Sequence, residues 1–116
     1  DHYLSKQAGK RVKVSGRAKT MCDALMATSP GEMTWSINCQ NVDDYLVVTE
    51  DEIAMAVAYA FRNLKLVVEP GGSVALAALL SNKLNIKGKT VAIVLSGGNI
   101  DNATLVECLE KYPSPA

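Results

Sequence analysis

An apolar run that passes directly into two glycines is the feature that most restricts how this chain can fold. Residues 91–95 (VAIVL) show no alternation of polar and apolar side chains, which predicts a central parallel strand covered on both faces. Residues 96–99 (SGGN), here the SGGN turn, follow at once and lead into a last helix capped by Asp101 or Asn102. Ligands of open α/β sheets bind where such strands end, so this turn is a candidate site, although a simple tight turn fits the local pattern equally well.

Helix-like and strand-like patterns alternate in the rest of the chain. Thr49 and Glu52 have the spacing of a capping box, which predicts a helix ending near residues 63–65. The apolar stripe of this helix comprises Ile53, Ala56, Val57, Ala60, Phe61 and Leu64. The other predicted elements are a short helix over 20–27, an ambiguous strand or loop over 33–40, strands over 42–48 and 66–68, and a helix over 73–84 that is apolar almost all round and therefore buried. This order predicts an α/β fold with three αβα layers, a mostly parallel sheet and right-handed crossovers.

The composition indicates one globular domain over residues 1–116, with residues 113–116 as a tail. Apolar residues make up 48% of the chain, which is enough for a sizeable core. Twelve basic and twelve acidic residues give a net charge of zero, and their scatter disfavours nucleic acid or an anionic membrane as a partner. The apolar runs are far shorter than the ~20 residues of a membrane span, and the polar opening is unlike a signal peptide, so a cytoplasmic location is expected.

Side chains suited to catalysis or metal binding are few. His2 is the only histidine, which excludes a catalytic triad built on a supported histidine base. Cys22, Cys39 and Cys108 are odd in number and have no CxxC spacing, so we expect them to be reduced packing residues. Glu69 follows the strand predicted over 66–68 and would face the same crevice as the SGGN turn, either orienting a ligand or as an ordinary solvated turn residue.

Seven segments together carry a family resemblance that covers essentially the whole chain. They are DHYLSK at 1–6 with Gly9 and Lys10, residues 20–24 (TMCDA) as a variant of T-I-A-D-G/A, VDD at 42–44, VTEDEI at 48–53, KLVVEP at 65–70, the Ala/Leu-rich residues 74–80, and VLSGGNID at 94–101. The chain resembles the C-terminal part of the pyridoxal-phosphate-dependent threonine dehydratase and serine racemase family, which has the tryptophan-synthase β-like fold (fold type II). The start at Asp1 without an initiator Met agrees with this resemblance. We therefore expect a truncated piece of the family's large domain, corresponding to roughly the last third of a catalytic chain.

The resemblance implies that Ser96, Gly97, Gly98, Asn99 and Glu69 belong to the cofactor site of a full-length parent. Ser96 matches the hydroxyl residue that hydrogen-bonds the pyridine nitrogen, and the two glycines shape the approach to it. A hydroxyl is a poorer proton source than a carboxylate, so the electron sink is tempered, which favours β-elimination. The implied reaction is loss of water from serine or threonine, giving a 2-oxo acid and ammonia. A serine racemase or a 3-hydroxyaspartate dehydratase as the parent remains open.

The resemblance also implies what this chain lacks. The family's Schiff-base lysine and its glycine-rich phosphate loop have no match here, so the chain alone is expected to be inactive and to hold no cofactor tightly. Asp1 matches an aspartate that in some members helps bind a divalent cation, Mg²⁺ or Ca²⁺. Lys65 and Asn99 match positions that contact ATP in nucleotide-regulated racemases. The implied partners are an amino acid substrate and further copies of the chain in a homo-oligomer.

Two other classes of protein remain open on the sequence. One is a free-standing α/β module that binds an anion at the SGGN turn. The other is a structural or oligomerisation domain that uses residues 74–84 as part of an interface.

Overall fold

The computed structural model describes residues 1–16 and 19–113, and the chain forms two compact units. The first unit consists of Asp1–Thr20 and Leu25–Val47, and the second of Met21–Ala24 and Val48–Ala116. The helices are α1 (His2–Ala8), α2 (Glu32–Asn41), α3 (Glu50–Tyr59), α4 (Val74–Leu80) and α5 (Asn102–Lys111), with a π-helical turn at Ala60–Leu64 and 3₁₀ turns at Asp23–Leu25 and Gly71–Ser73. Within the described ranges, each helix is too short or too polar to span a membrane.

A lysine connects the two helices of the first unit. Lys6, in the last turn of α1, donates from Nζ to the carbonyl oxygens of Val42 (2.6 Å) and Cys39 (3.4 Å) at the C-terminal end of α2. A cation is favourable there because the last carbonyls of a helix lack intrahelical partners and carry partial negative charge. Residues 33–40 are thus helical, and the choice between strand and loop was wrong. Helix α2 has no buried residue, so it lacks the apolar stripe that identifies a helix in a sequence.

Helix α3 organises the second unit and begins where the sequence predicts. Thr49 Oγ1 accepts the Glu52 N–H at 3.2 Å, and Glu52 Oε2 accepts the Thr49 N–H at 2.7 Å, which confirms the capping box. The π-helical turn after α3 ends at Lys65, whose φ is 60°, inside the predicted range. Helix α3 packs against both α4 and α5. One core comprises Cys22, Ile53, Ala56, Ala60, Val68, Leu76 and Ala77, and a second comprises Ala54, Val57 and Cys108.

The far end of the predicted α3 stripe is exposed. Phe61 is 40% exposed and Leu64 is 42% exposed, so neither joins the core as predicted. Both residues lie in the π-helical turn, where hydrogen bonds run from i to i+5 instead of i to i+4. The wider turn ends the 3.6-residue spacing on which the prediction depended.

The cysteines take the structural role expected of them. Cys22 and Cys108 are buried in the two cores, and burial raises the pKa of the Cys108 thiol. Cys39 is half-buried, and its Sγ donates to the Ser36 carbonyl at 3.6 Å.

The predicted sheet is not confirmed. No β-strand occurs in residues 1–16 and 19–113, and residues 42–48, 66–68 and 91–95 are non-helical segments. A parallel ladder needs a series of evenly spaced hydrogen bonds. Among the described residues, a single backbone bond, from the Glu69 N–H to the Gly97 carbonyl at 3.1 Å, joins the end of the second segment to the SGGN turn.

Residues 91–95 are covered on one side only. Ile93 and Leu95 pack against the first core, whereas Val91 is 43% exposed and Val94 is 77% exposed. The expectation that both faces of this segment are covered is therefore wrong for this chain. An apolar surface is left open beside the SGGN turn.

Two predicted helices are shorter in the structure. The helix expected over 73–84 ends at Leu80, and Asn82 follows with a φ of 52° in the left-handed region, where helices commonly stop. Only Leu76 and Ala77 are buried in α4, so this helix is covered on one side and not all round. The helix expected over 20–27 is reduced to the 3₁₀ turn, where the Asp23 side chain accepts the Ala24 N–H at 2.8 Å. Such local bonds compete with helical ones.

Candidate functional site

The SGGN turn is built around a glycine in the left-handed region. Gly97 has a φ of 75°, a conformation that costs a residue with a side chain ~1–2 kcal/mol. Asp101 then caps α5, because its Oδ1 accepts the Thr104 N–H at 2.9 Å and its Oδ2 accepts the Thr104 hydroxyl at 2.6 Å. These bonds from Thr104 lower the pKa of the Asp101 carboxyl. The predicted cap is confirmed at Asp101, and it fixes where the helix begins after the turn.

Glu69 contacts the turn through both its backbone and its side chain. Its N–H donates to the Gly97 carbonyl at 3.1 Å, and its Oε2 accepts the Asn99 N–H at 3.1 Å. The carboxylate also lies against the Gly97 Cα, since a Cβ built there would be 2.7 Å from Glu69 Cδ. The structure therefore brings Glu69 and the SGGN turn together, as the two segment ends predict.

Two further glycines allow backbone to approach backbone at this turn. A Cβ on Gly72 would lie 1.6 Å from the Ser96 carbonyl oxygen, and one on Gly98 would lie 2.8 Å from the Val67 carbonyl oxygen. Gly72 belongs to the 3₁₀ turn that precedes α4, so the start of α4 packs directly on the Ser96 backbone. Only a residue without a side chain admits contacts this close.

The turn presents polar groups without protein partners. Ser96 is exposed, and within the described ranges its hydroxyl makes no hydrogen bond. The Gly98 N–H likewise has no acceptor among those residues. A hydroxyl both donates and accepts a hydrogen bond, and a backbone N–H donates one. The site can therefore supply one side-chain hydrogen bond and one backbone N–H donor to a ligand.

Asp1, the predicted metal ligand, caps α1 in the first unit. Its Oδ1 accepts the His2 N–H at 2.7 Å and lies 3.2 Å from His2 Nδ1, while its Oδ2 is buried without a partner in the described part of the chain. No cluster of three or more His, Cys, Asp or Glu side chains forms among the described residues. One carboxylate supplies far fewer oxygen atoms than the about six to eight ligands that Ca²⁺ takes, so cation binding at Asp1 stays a prediction.

Lys65 and Asn99, the two residues predicted to contact a nucleotide, form hydrogen bonds within this chain. Lys65 donates from Nζ to the Arg62 carbonyl at 2.7 Å, and the Asn99 N–H is bound by Glu69. A role for Lys65 and Asn99 in nucleotide binding remains a prediction.

Gly72 and Val67 are contact residues that the sequence analysis missed. Glu69 is a candidate site residue on the sequence, whereas no role is predicted there for Gly72 or Val67. A usable signal is present, because Gly72 and the Gly97–Gly98 pair follow two segments expected to end at one crevice, and glycines in both are typical of close backbone packing.

Comparisons with known proteins identify the family of the chain. Residues 1–97 match the family described as "Pyridoxal-phosphate dependent enzyme". The L-threonine ammonia-lyase of Thermotoga maritima is 42% identical over 97 residues, which are 84% of this chain and 24% of that protein. The L-threo-3-hydroxyaspartate ammonia-lyase of Saccharomyces cerevisiae is 37% identical over 98% of this chain and 36% of that protein.

A solved structure extends the similarity to three dimensions. Maize serine racemase superposes with a TM-score of 0.81 at 34% identity, over 97% of this chain and 36% of that one. Solved structures similar to this chain, such as this one, are fold type II pyridoxal-phosphate enzymes, so the similarity is consistent with an αβα architecture. The chain spans between about a quarter and about a third of the length of the relatives it matches, from 24% to 36%.

Proposed function

The chain belongs to the pyridoxal-phosphate dependent enzyme family, and on that premise we propose that it is part of an ammonia-lyase acting on a hydroxy amino acid. The reaction is β-elimination of water, followed by hydrolysis of the eliminated product with one water molecule, which releases ammonia and a 2-oxo acid. In this proposal residues 1–116 form part of one catalytic domain, with 113–116 as its tail, of which 114–116 lie outside the described residues. The ammonia-lyases among its relatives support this reaction class.

The observation that carries the proposal is the state of Ser96. Ser96 is exposed, and its hydroxyl makes no hydrogen bond within the described residues. Its backbone, in contrast, lies so close to Gly72 that a Cβ on Gly72 would be 1.6 Å from the Ser96 carbonyl oxygen. A fixed backbone with an unengaged hydroxyl is a preorganised hydrogen-bond donor. This combination fits a flat heteroaromatic cofactor with one ring nitrogen to satisfy.

Each residue of the turn has a distinct part in the proposed site. When bound, pyridoxal phosphate supplies an electron sink that stabilises negative charge at the substrate Cα. Ser96 would donate its hydroxyl hydrogen bond to the pyridine nitrogen, and because a hydroxyl is a poorer proton source than a carboxylate, that nitrogen would stay largely neutral, which would favour elimination. Gly97 and Gly98 shape the turn around Ser96 by admitting the Glu69 carboxylate and the Val67 carbonyl oxygen, and Asn99 and Glu69 would belong to the same cofactor site.

This chain alone is proposed to be inactive and to retain no cofactor tightly. The lysine and the phosphate loop that hold the cofactor in the family have no match in these 116 residues. Asp1 would supply one carboxylate to a Mg²⁺ or Ca²⁺ site whose other ligands lie outside this chain.

Serine racemase is the second candidate, favoured by the maize structure with its TM-score of 0.81. The same Ser96 hydroxyl serves both reactions, because racemisation and elimination both begin with loss of the substrate Cα proton. Partition between them then depends on the electron sink and on residues outside this chain.

A chimaera tests the proposal. This chain would replace the matching segment of the Thermotoga maritima enzyme, to which it is 42% identical. Formation of 2-oxo acid from L-threonine, L-serine and L-threo-3-hydroxyaspartate would be assayed beside formation of D-serine. We expect 2-oxo acid as the main product. A folded chimaera that binds pyridoxal phosphate but produces mainly D-serine would favour the racemase, and one that binds no pyridoxal phosphate would contradict the family site.

A further inference from the structure

Glu69 makes two hydrogen bonds that bracket Gly98. The Glu69 N–H donates to the Gly97 carbonyl at 3.1 Å, and Glu69 Oε2 accepts the N–H of Asn99, two residues further on, at 3.1 Å. One residue therefore holds both the middle and the end of the SGGN turn.

The other close contacts of the turn are made by backbone. Gly72 faces the Ser96 carbonyl oxygen, and Gly98 faces the Val67 carbonyl oxygen, each at a distance that admits no Cβ. Against Gly97 the close atoms are those of the Glu69 carboxylate, 2.7 to 2.9 Å from where a Cβ would stand. Among these close contacts, Glu69 is the one that places a side chain on the turn.

The conformation held in this way is one of several that a Gly-Gly segment can adopt. Gly97 has a φ of 75°, and a glycine populates positive and negative φ about equally well when nothing selects between them. A hydrogen bond from a backbone N–H to a carboxylate is stronger than one to a neutral acceptor. The Asn99 N–H bond thus selects one conformation of a flexible Gly-Gly segment.

We propose that Glu69 is a positioning residue, which holds the SGGN turn in the conformation that presents the Ser96 hydroxyl to the cofactor ring. The consequence for the cofactor rests on the proposed function, whereas the hold on the turn does not. Glu69 acts through the backbone of Gly97 and Asn99 and needs no contact with the reacting atoms.

Amide hydrogen exchange of the 116-residue chain, measured by NMR, tests the hold on the turn. The Asn99 N–H is bound to Glu69, whereas the adjacent Gly98 N–H has no acceptor in the described ranges. After correction for intrinsic rates, Asn99 should be protected about tenfold or more relative to Gly98. Equal protection of the two amides would overturn the inference, and this comparison needs no variant to fold.

Variants separate the hydrogen bond from the negative charge. Glu69→Ala removes the acceptor and should accelerate Asn99 exchange about tenfold, whereas Glu69→Gln retains a carbonyl acceptor and should keep most of the protection. Glu110→Ala is the matched control, because Glu110 is an exposed carboxylate in α5. Unchanged Asn99 exchange in Glu69→Ala would contradict the inference.

The effect of Glu69 on cofactor binding is measured as the affinity of the chimaera for pyridoxal phosphate. Glu69→Ala should weaken pyridoxal phosphate binding about tenfold, and Glu69→Gln should restore it, because the turn is held again. Faster Asn99 exchange with unchanged cofactor affinity would overturn the positioning role. Failure of the proposed function would give a different result from failure of the positioning role. If the proposed function is wrong, Ser96→Ala leaves the affinity for pyridoxal phosphate unchanged, while the Asn99 N–H of the chain stays protected from exchange.

Discussion

The Glu69 carboxylate accepts the backbone N–H of Asn99 at 3.1 Å, across 30 residues of sequence. The contact ties the turn after residues 66–68 to the turn after residues 91–95, although no strand ladder joins the two segments among the described residues. The geometry of the candidate site therefore depends on a side chain and on three glycines more than on sheet pairing.

Gly97→Ala should cost more stability than a replacement at a comparable glycine. Gly88 has a φ of 73° with nothing within 4 Å of a built Cβ, so Gly88→Ala should lose only ~1–2 kcal/mol of unfolding free energy to left-handed strain. At Gly97 the new Cβ also displaces the Glu69 carboxylate from Asn99, which adds ~1 kcal/mol. Urea unfolding of both variants measures the difference, and the excess should vanish when Glu69→Ala is added. Equal costs at Gly88 and Gly97 would contradict the contact.

Stability should fall at acid pH partly because of Glu52. A hydrogen bond from Lys83 Nζ at 2.8 Å, and then the bond from the Thr49 N–H, lower the pKa of Glu52 below its usual 4.5. The folded pKa is below the unfolded one, so this contribution is complete above about pH 5 and is lost as pH falls through the folded value. Thermal unfolding between about pH 6 and pH 3 should show a smaller loss of Tm in Glu52→Gln than in the unaltered chain. Glu110→Gln, in an exposed part of α5, is the control, and an unchanged acid loss in Glu52→Gln would reject this account.

The isolated chain should self-associate through its open apolar face. Val94 is 77% exposed and Val91 is 43% exposed, and Leu66 and Val67 are also half-exposed, at 46% and 50%. Removing such surface from water is favourable at about 25 cal/mol per Å². Light scattering at increasing concentration should show a rising mass that Val94→Lys reduces and Val106→Lys, at an exposed valine of α5, does not. A monodisperse monomer at high concentration would show that the chain is self-sufficient.

The chain alone should form no defined covalent adduct with pyridoxal phosphate. If the chain lacks the Schiff-base lysine of the family, as proposed, treatment with pyridoxal phosphate and borohydride should label no single lysine stoichiometrically. Mass spectrometry after proteolysis gives the positions. Labelling of one lysine together with turnover of serine or threonine would refute the inactivity of the chain.

Local signals in the sequence predict the helices of the second unit well. The capping box of Thr49 and Glu52 and the cap at Asp101 are made within four residues, so their partners are visible in the sequence itself. Helix α2 lacks a buried face, and its end is held by Lys6, 36 residues from Val42, which no local pattern reveals. The π-helical turn is also invisible, because its residues continue the apolar spacing of α3.

The candidate site is partly predictable for the same reason. Glu69 and the SGGN turn were placed together because both follow apolar segments that were expected to end at one edge. Gly72 escaped notice because its contact is with the backbone of Ser96, and backbone approach leaves no residue-type signal beyond the glycine itself. The sheet expected around residues 91–95 depends on pairing between distant segments, which the composition of one segment does not specify.

The hydroxyl of Ser96 is the most direct test of the proposed site. In the chimaera, Ser96→Ala should raise the Kd for pyridoxal phosphate about tenfold, because the ring nitrogen loses its hydrogen bond. Ser96→Asp should protonate that nitrogen and shift the product ratio from 2-oxo acid towards racemisation or transamination. Thr90→Ala, which removes an exposed hydroxyl at the other end of residues 91–95, should change neither quantity. Unchanged Kd and product ratio in both Ser96 variants, at unchanged stability, would contradict the account and remove Ser96 from the site.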